Sequence, residues 1–165
     1  MSFFAAGFKA LNTGLQNNHY DMIISETRQF SDNSRVEIRE LRTVPCILLF
    51  SSKHPLAEKK DLNIFDFKND SFWVLNTEEF SLARQIYEPY CRSKGFIPRF
   101  VEMNDIESGL LDLQQGGYSI SDSLTYVKDT PIFKYIPLDL TLTAGAIWKK
   151  DSSNKALKVF IEEIV

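Results

Sequence analysis

The chain has 165 residues, which fits one ordinary domain and lets folding bury roughly two-thirds of the surface that the unfolded chain exposes. Hydrophobic residues make up 44% and charged residues 25%, a balance that excludes disordered and fibrous classes. A formal net charge of −3 and a pI near 5.4 give no electrostatic reason for the chain to sit by itself on phosphate backbones or anionic membranes, so a small molecule or another protein is the expected partner.

No repeat, low-complexity tract or linker interrupts the chain. Phe8, Leu11 and Leu15 keep a helical spacing that ends in Gln16-Asn17-Asn18, and Tyr20 to Ile24 then reads as a short buried strand. Glu26 to Ser34 is polar without an apolar period and reads as a loop; Val36, Ile38 and Leu41 lead into a strand pair ending at Ile47 to Phe50, before a turn at His54-Pro55. Asp61 to Phe67 is expected as a short helix and Phe72 to Leu75 as a strand covered on both faces. Asn76 with Glu79 offers a reciprocal cap to a helix that carries Leu82, Ile86 and Tyr90, with a kink at Pro89. That helix stops near Gly95. Phe100 to Met103 is a strand, and Asn104 with Glu107 repeats the capping signal before a helix that ends at Gly116-Gly117. Tyr118 to Ser121, Phe133 to Leu138 and Ala144 to Trp148 read as three more strands, and a last helix from about Asn154 turns Leu157, Phe160, Ile161 and Ile164 inward.

Strands separated by helices predict βαβ units and a mainly parallel sheet, hence an α/β fold. In such sheets ligands bind beyond the carboxyl ends of strands. The strand ends here carry Ser25 and Thr27, Ser51 and Ser52, Asn76 and Thr77 with Phe80 and Ser81, Ser121 and Asp122, and Thr141 and Thr143. Any one of these hydroxyls is more often a cap or turn former than a ligand contact. As a set, however, they are what a small ligand in a mostly apolar pocket would need.

Other chemistries find no support. His54 has no nucleophile or orienting carboxylate placed beside it by the sequence, and His19 ends a helix. There is no GxGxxG after a strand, no GxxxxGK[ST], no GxSxG and no HExxH, so no catalytic residue, cofactor or metal ligand is expected. Cys46 and Cys91 have no CxxC or Cys/His spacing, which fits a reducing compartment, the cytoplasm. The longest apolar run, Val44 to Phe50, is far short of the roughly 20 residues that span a bilayer, and no export signal follows Met1, so no membrane partner is expected. Phe72, Trp73 and Trp148 read as core rather than base-stacking platforms.

Five motifs, taken in order, resemble one family. They are Leu15 to Ile24, a helix end followed by Tyr-Asp-Met-Ile-Ile; Ser52-Lys53-His54-Pro55-Leu56-Ala57 after a strand; Tyr90-Cys91-Arg92-Ser93-Lys94-Gly95-Phe96-Ile97-Pro98; Gly116-Gly117 entering a strand; and Ile136-Pro137-Leu138 leading to Trp148-Lys149-Lys150 and a closing helix. Together they resemble the substrate-binding domain of LysR-type transcriptional regulators over nearly the whole chain.

The resemblance implies a fold like that of type 2 periplasmic binding proteins, with two Rossmann-like lobes joined by two crossover segments and an effector between them. Lobe I would hold residues 1–52 and 143–165, lobe II residues 53–142, with crossings near Ser51 to His54 and Leu140 to Thr143. The family's ligand-contacting places coincide with Ser25, Thr27, Thr77, Phe80, Ser121 and Thr141. The implied partners are a small-molecule effector, with carboxylates and amino-acid derivatives as the class to screen, and a second copy of the chain. DNA would be reached only through a winged helix-turn-helix that these residues do not include. The strand and helix that normally open the regulatory domain also have no match here, so lobe I is expected to be incomplete.

The leading reading is thus an effector sensor and not an enzyme. A solute-binding protein of a transporter shares the fold but needs an export signal. A dehydratase on the same fold needs a catalytic threonine and acid in a motif of their own. A truncated regulator remnant that binds nothing is the remaining alternative.

Overall fold

The computed structural model describes residues 8–75, 83–123 and 129–163. The chain divides into two compact units: Met1–Thr43 with Thr143–Val165, and Val44–Leu142. Two long strands, β2 (Val36–Ser51) and β6 (Phe133–Lys149), contribute one half to each unit. The boundaries fall at Thr43/Val44 and at Leu142/Thr143. The first is earlier than the expected break after Ser52, because Cys46 to Phe50 pair with a strand of the second unit and three of them, Cys46, Leu48 and Phe50, pack into its core.

In unit 1, helix α1 (Phe8–Gln16) feeds strand β1 (Met22–Glu26) through Asn18, whose φ of 60° turns the chain. The segment expected as a plain loop contains a 3-10 turn, Thr27–Phe30, in which the Glu26 carboxylate accepts from Arg28 N. β1 pairs antiparallel with β6, from Met22 opposite Trp148 to Glu26 opposite Ala144. The core consists of Leu15, Ile23, Phe30, Val36 and Ile147, with Leu11, Tyr20 and Ile38 packed against it. The final helix, here α4 (Lys155–Glu163), starts where the sequence places it: the Asn154 side chain accepts from Ala156 N at 2.9 Å, and Leu157 is buried. Its expected inward residue Ile164 lies outside the described residues.

Unit 2 is built on β3 (Ser71–Leu75), β4 (Arg99–Met103), β5 (Tyr118–Asp122) and the unit's halves of β2 and β6. β3 and β4 run parallel, β3 and β5 run parallel, and β2 and β5 run antiparallel from Cys46 opposite Asp122 to Phe50 opposite Tyr118. The sheet is therefore mixed, not mainly parallel. Among the described residues only β3, β4 and β5 follow one another through helices; β2 meets β5 antiparallel. The two strands expected at Val36–Phe50 are one strand, and so are the two at Phe133–Leu138 and Ala144–Trp148.

The helical details differ in instructive ways. The turn expected over Asp61 to Phe67 is shorter, a 3-10 turn at Ile64–Phe67 with a complete capping box between Asn63 and Asp66. Asn76, Glu79 and Leu82 lie outside the described residues; beyond them a π-helical turn (Ala83–Tyr87) continues into α2 (Glu88–Ser93). Pro89 sits in the first turn of α2, where its missing N–H costs nothing, so it starts the regular helix rather than kinking it. For α3 (Ile106–Gln115) the cap is Asp105 and not Asn104: its carboxylate accepts from Ser108 N at 2.8 Å. Among the described residues, 13 form a core that includes Phe50, Phe67, Phe72, Cys91 and Tyr118. Phe72 is fully buried, and Trp73 packs on a smaller cluster of Leu49, Leu113 and Phe133, so both serve the core as expected.

Candidate functional site

In unit 1, Ser25 lies on β1 opposite Gly145 and is half-buried. Thr27 begins the 3-10 turn and is only 7% exposed. Its methyl group stands 2.5 Å from where a Cβ on Gly145 would be, so glycine at 145 is what lets the turn close over β6. Ser25 and Thr27 thus share one end of β1, with Glu26 between them held by Arg28 through two hydrogen bonds of 2.8 and 2.9 Å.

In unit 2, Ser121 and Asp122 end β5, both half-buried, opposite Ile47 and Cys46. The parallel pairing of Phe72 with Tyr118, carried three residues along each strand, brings Leu75 level with Ser121. Leu75, the last residue of β3, therefore lies at the same sheet edge. Thr77, Phe80 and Ser81 lie outside the described residues. Thr141 is exposed on β6.

Ser51 does not join this group. β2 runs against β5, so its carboxyl end lies beside Tyr118 and Ser51 stands four residues beyond Ile47, the partner of Ser121, or roughly 13 Å along the sheet. Its side chain is 1% exposed and accepts from Lys53 N at 3.2 Å, which makes it a turn former at the opposite edge of unit 2. His54, next along, has Nδ1 accepting from Leu56 N at 3.2 Å while its ring packs against Phe50 and Phe67 and Nε2 stands 3.6 Å from Asp70. It is a buried structural histidine.

Asp105 is not among the sequence candidates, although it sits at the carboxyl end of β4, on the edge where β3 and β5 also end. Hydrogen bonds from the Ser108 backbone and hydroxyl hold its carboxyl below the usual carboxylate range. The amino end of α3 therefore already has a negative group from its own chain, which weakens its attraction for an anionic ligand. The signal is present in the residues, since Asp is as good a cap as the neighbouring Asn. Among the described residues there is no group of three or more His, Cys, Asp or Glu that could hold a metal ion. No described helix is long and apolar enough to cross a membrane.

Known proteins share this architecture. The chain matches the family described as LysR substrate binding domain over residues 3–165. It is 24% identical over 139 residues to the HTH-type transcriptional regulator AlsR of Bacillus subtilis (strain 168), a match that covers 78% of this chain and 44% of that protein. The effector-binding domain of QuiR in complex with shikimate superimposes with a TM-score of 0.80 at 16% identity, covering 99% of this chain and 78% of that one. The BenM effector-binding domain with benzoate gives 0.75 at 15% identity, with 98% and 75% covered. A putative LysR family regulator from Pseudomonas aeruginosa gives 0.72 at 16% identity, with 96% and 57% covered.

The chain belongs to the LysR substrate-binding domain family, and its fold is the two-unit α/β architecture of type 2 periplasmic binding proteins. The family is one of transcriptional regulators, which are not enzymes. The chain spans less than half the length of its curated relative and little more than half of the first solved structure.

Proposed function

We propose that this chain senses a small-molecule effector on behalf of a LysR-type regulator in the cytoplasm, and that it has no catalytic activity of its own. The observation that carries the reading is the family match over residues 3–165, joined to a sheet edge in unit 2 where Ser121 and Asp122 end β5 level with Leu75, the residue from which the sequence runs on to the proposed contacts Thr77, Phe80 and Ser81. Ser25 and Thr27 in unit 1 and Thr141 on β6 are the further proposed contacts; Ser51 is retained only as a turn former. The regulator would reach DNA through a helix-turn-helix domain outside these residues and would work as an oligomer.

Asp122 and the capped Asp105 bias the described edge of unit 2 towards hydrogen-bond acceptors. Amino-acid derivatives, which bring donors as well as a carboxylate, should therefore bind better than simple carboxylates. A thermal-shift screen of metabolites against the chain tests this, since a ligand that binds only the folded state raises Tm. Ser121→Ala and Thr77→Ala should each lower that shift while leaving the unliganded Tm in place. Silence across the whole screen, or a shift indifferent to both substitutions, would count against the site.

A further inference from the structure

Unit 2 holds a cavity that the effector reading leaves unused. It has a volume of about 480 Å³, within the range of small-molecule sites, and lies between the loop after β2 and the start of β6. Phe50 and Phe133, both buried, form its apolar side. Phe50 lies opposite Tyr118, so the cavity is on the Ser51 side of the unit and away from the Ser121 end of β5. Two ion pairs fix its walls. Lys134 Nζ donates to Ala57 O at 2.8 Å and to Glu58 at 2.7 Å, which fastens the loop to β6, and Lys59 is paired with Asp66 of the 3-10 turn at Ile64–Phe67.

Charge decides what such a cavity accepts. Both lining lysines are matched by a carboxylate, whereas the Asp61 carboxylate and the Tyr135 hydroxyl, also in the lining, have no hydrogen bond or ion pair among the described residues. Lys59 and Lys134 are thus offset by Asp66 and Glu58, and Asp61 is left as the unmatched charge; its neighbour Lys60 does not line the cavity. Asp61 also has a φ of 56°. Asn18, with a φ of 60°, closes a helix, where that conformation is ordinary. Asp61 follows no described helix, and backbone outliers of this kind cluster at ligand sites.

We propose that this cavity is a small-molecule site separate from the Ser121 edge, and that it takes an organic cation: a primary amine carried on an aromatic or aliphatic body. The Asp61 carboxylate and the face of the Tyr135 ring receive the ammonium, while the hydrocarbon lies against Phe50 and Phe133. An anion of the same shape would have to displace Glu58 or Asp66 from its lysine. Asp61 and Tyr135 are exposed, so the ion pair is screened and the affinity is modest. Every lining residue belongs to unit 2, and the site does not rest on the effector reading.

The experiment is an amide NMR titration of the 165-residue chain with phenethylamine, and with phenylpropanoate as an anion on the same skeleton. Phenethylamine should give saturable shifts at Leu62, Lys134 and Ile136, which line the cavity, with a Kd of about 1 mM or below. Phenylpropanoate should bind at least several-fold more weakly. Asp61→Asn should weaken the amine several-fold and abolish that preference at an unchanged Tm, since asparagine accepts a positive φ as readily as aspartate does. Should that variant fail to fold, Tyr135→Ser, which removes an exposed ring, should also weaken the amine. Ser121→Ala should leave the titration as it is, so a silent effector screen and a failed amine titration are separate results. Shifts that stay linear up to about 10 mM, which is binding at high concentration only, overturn the inference. So do equal binding of amine and anion, a titration indifferent to Asp61→Asn, or shifts confined to the Ser121 edge.

Discussion

Thr43 Oγ1 and Thr143 Oγ1 lie 3.2 Å apart, tying β2 to β6 at the last residue of β2 in unit 1 and the first of β6 there. Both units depend on these two strands for their chain connection. Being solvent-accessible and neutral, the bond should contribute no more than about 1 kcal/mol. A double-mutant cycle of Thr43→Val and Thr143→Val by urea unfolding should give a coupling within that range; zero coupling would mean that water replaces the pair in solution.

Gly116 and Gly117 both have positive φ, 151° and 85°, yet they should respond differently to alanine. A Cβ at Gly117 would lie 2.5 Å from Ser71 O and 2.6 Å from Trp73 Nε1, whereas one at Gly116 would meet nothing within 4 Å. Backbone strain alone costs of order 1–3 kcal/mol. Gly116→Ala should therefore lose about that much, and Gly117→Ala measurably more, with disturbed Trp73 fluorescence because the indole N–H donates to Gly116 O at 2.9 Å. Equal losses would argue against the close approach at Gly117.

The Tyr118 hydroxyl is buried at the centre of unit 2 and, among the described residues, has no hydrogen bond of good geometry; the weakly polar Cys91 thiol is its neighbour. An unsatisfied buried hydroxyl costs about 1–3 kcal/mol. Tyr118→Phe should accordingly be neutral or stabilising, while Tyr118→Ala should lose about 3–5 kcal/mol, as large-to-small changes in a packed core do. Burial also pushes the Cys91 thiol up to about 12, so at neutral pH it is protonated as well as inaccessible. Its modification by a thiol reagent should proceed only as fast as the chain opens, and rapid labelling of the native protein would contradict its placement.

Asp139 on β6 receives the Lys94 ammonium and the Tyr90 hydroxyl, each at 2.5 Å, which joins α2 and the residue after it to the strand. These two bonds, Lys94 first, hold the Asp139 carboxyl below its ordinary value. A depressed carboxylate stabilises the fold above its unfolded pKa of about 3.9 and loses that contribution as pH falls through the folded value. Asp139→Asn should lower Tm at pH 7, and the difference from wild type should shrink below about pH 4. A difference that is the same at both pH values would assign the loss to packing. The carboxylate is mostly exposed, so the effect should be small and should weaken in salt.

Much of this was legible in the residues. The Asn154 cap, the strands around Phe72 and Phe100, the glycine pair before Tyr118 and the family motifs are all local patterns, set by sterics and burial over a few positions. The misplacements are also local ambiguities. Asn104 and Asp105 cap equally well on paper, and which one does so depends on whose side chain reaches Ser108 N. The strand pair expected over Val36 to Phe50 is one strand; no side chain between Leu41 and Val44 reports that its backbone continues the ladder.

What the chain determined by itself is the sequence of elements, the apolar faces and the family to which it belongs. Only the tertiary structure decided that Ser51 and Ser121 end up at opposite edges of unit 2 and that the sheet is mixed. The reason is physical: strand direction and register are set by hydrogen bonds between residues as distant as Cys46 and Asp122, and no local pattern encodes which partner a backbone will meet.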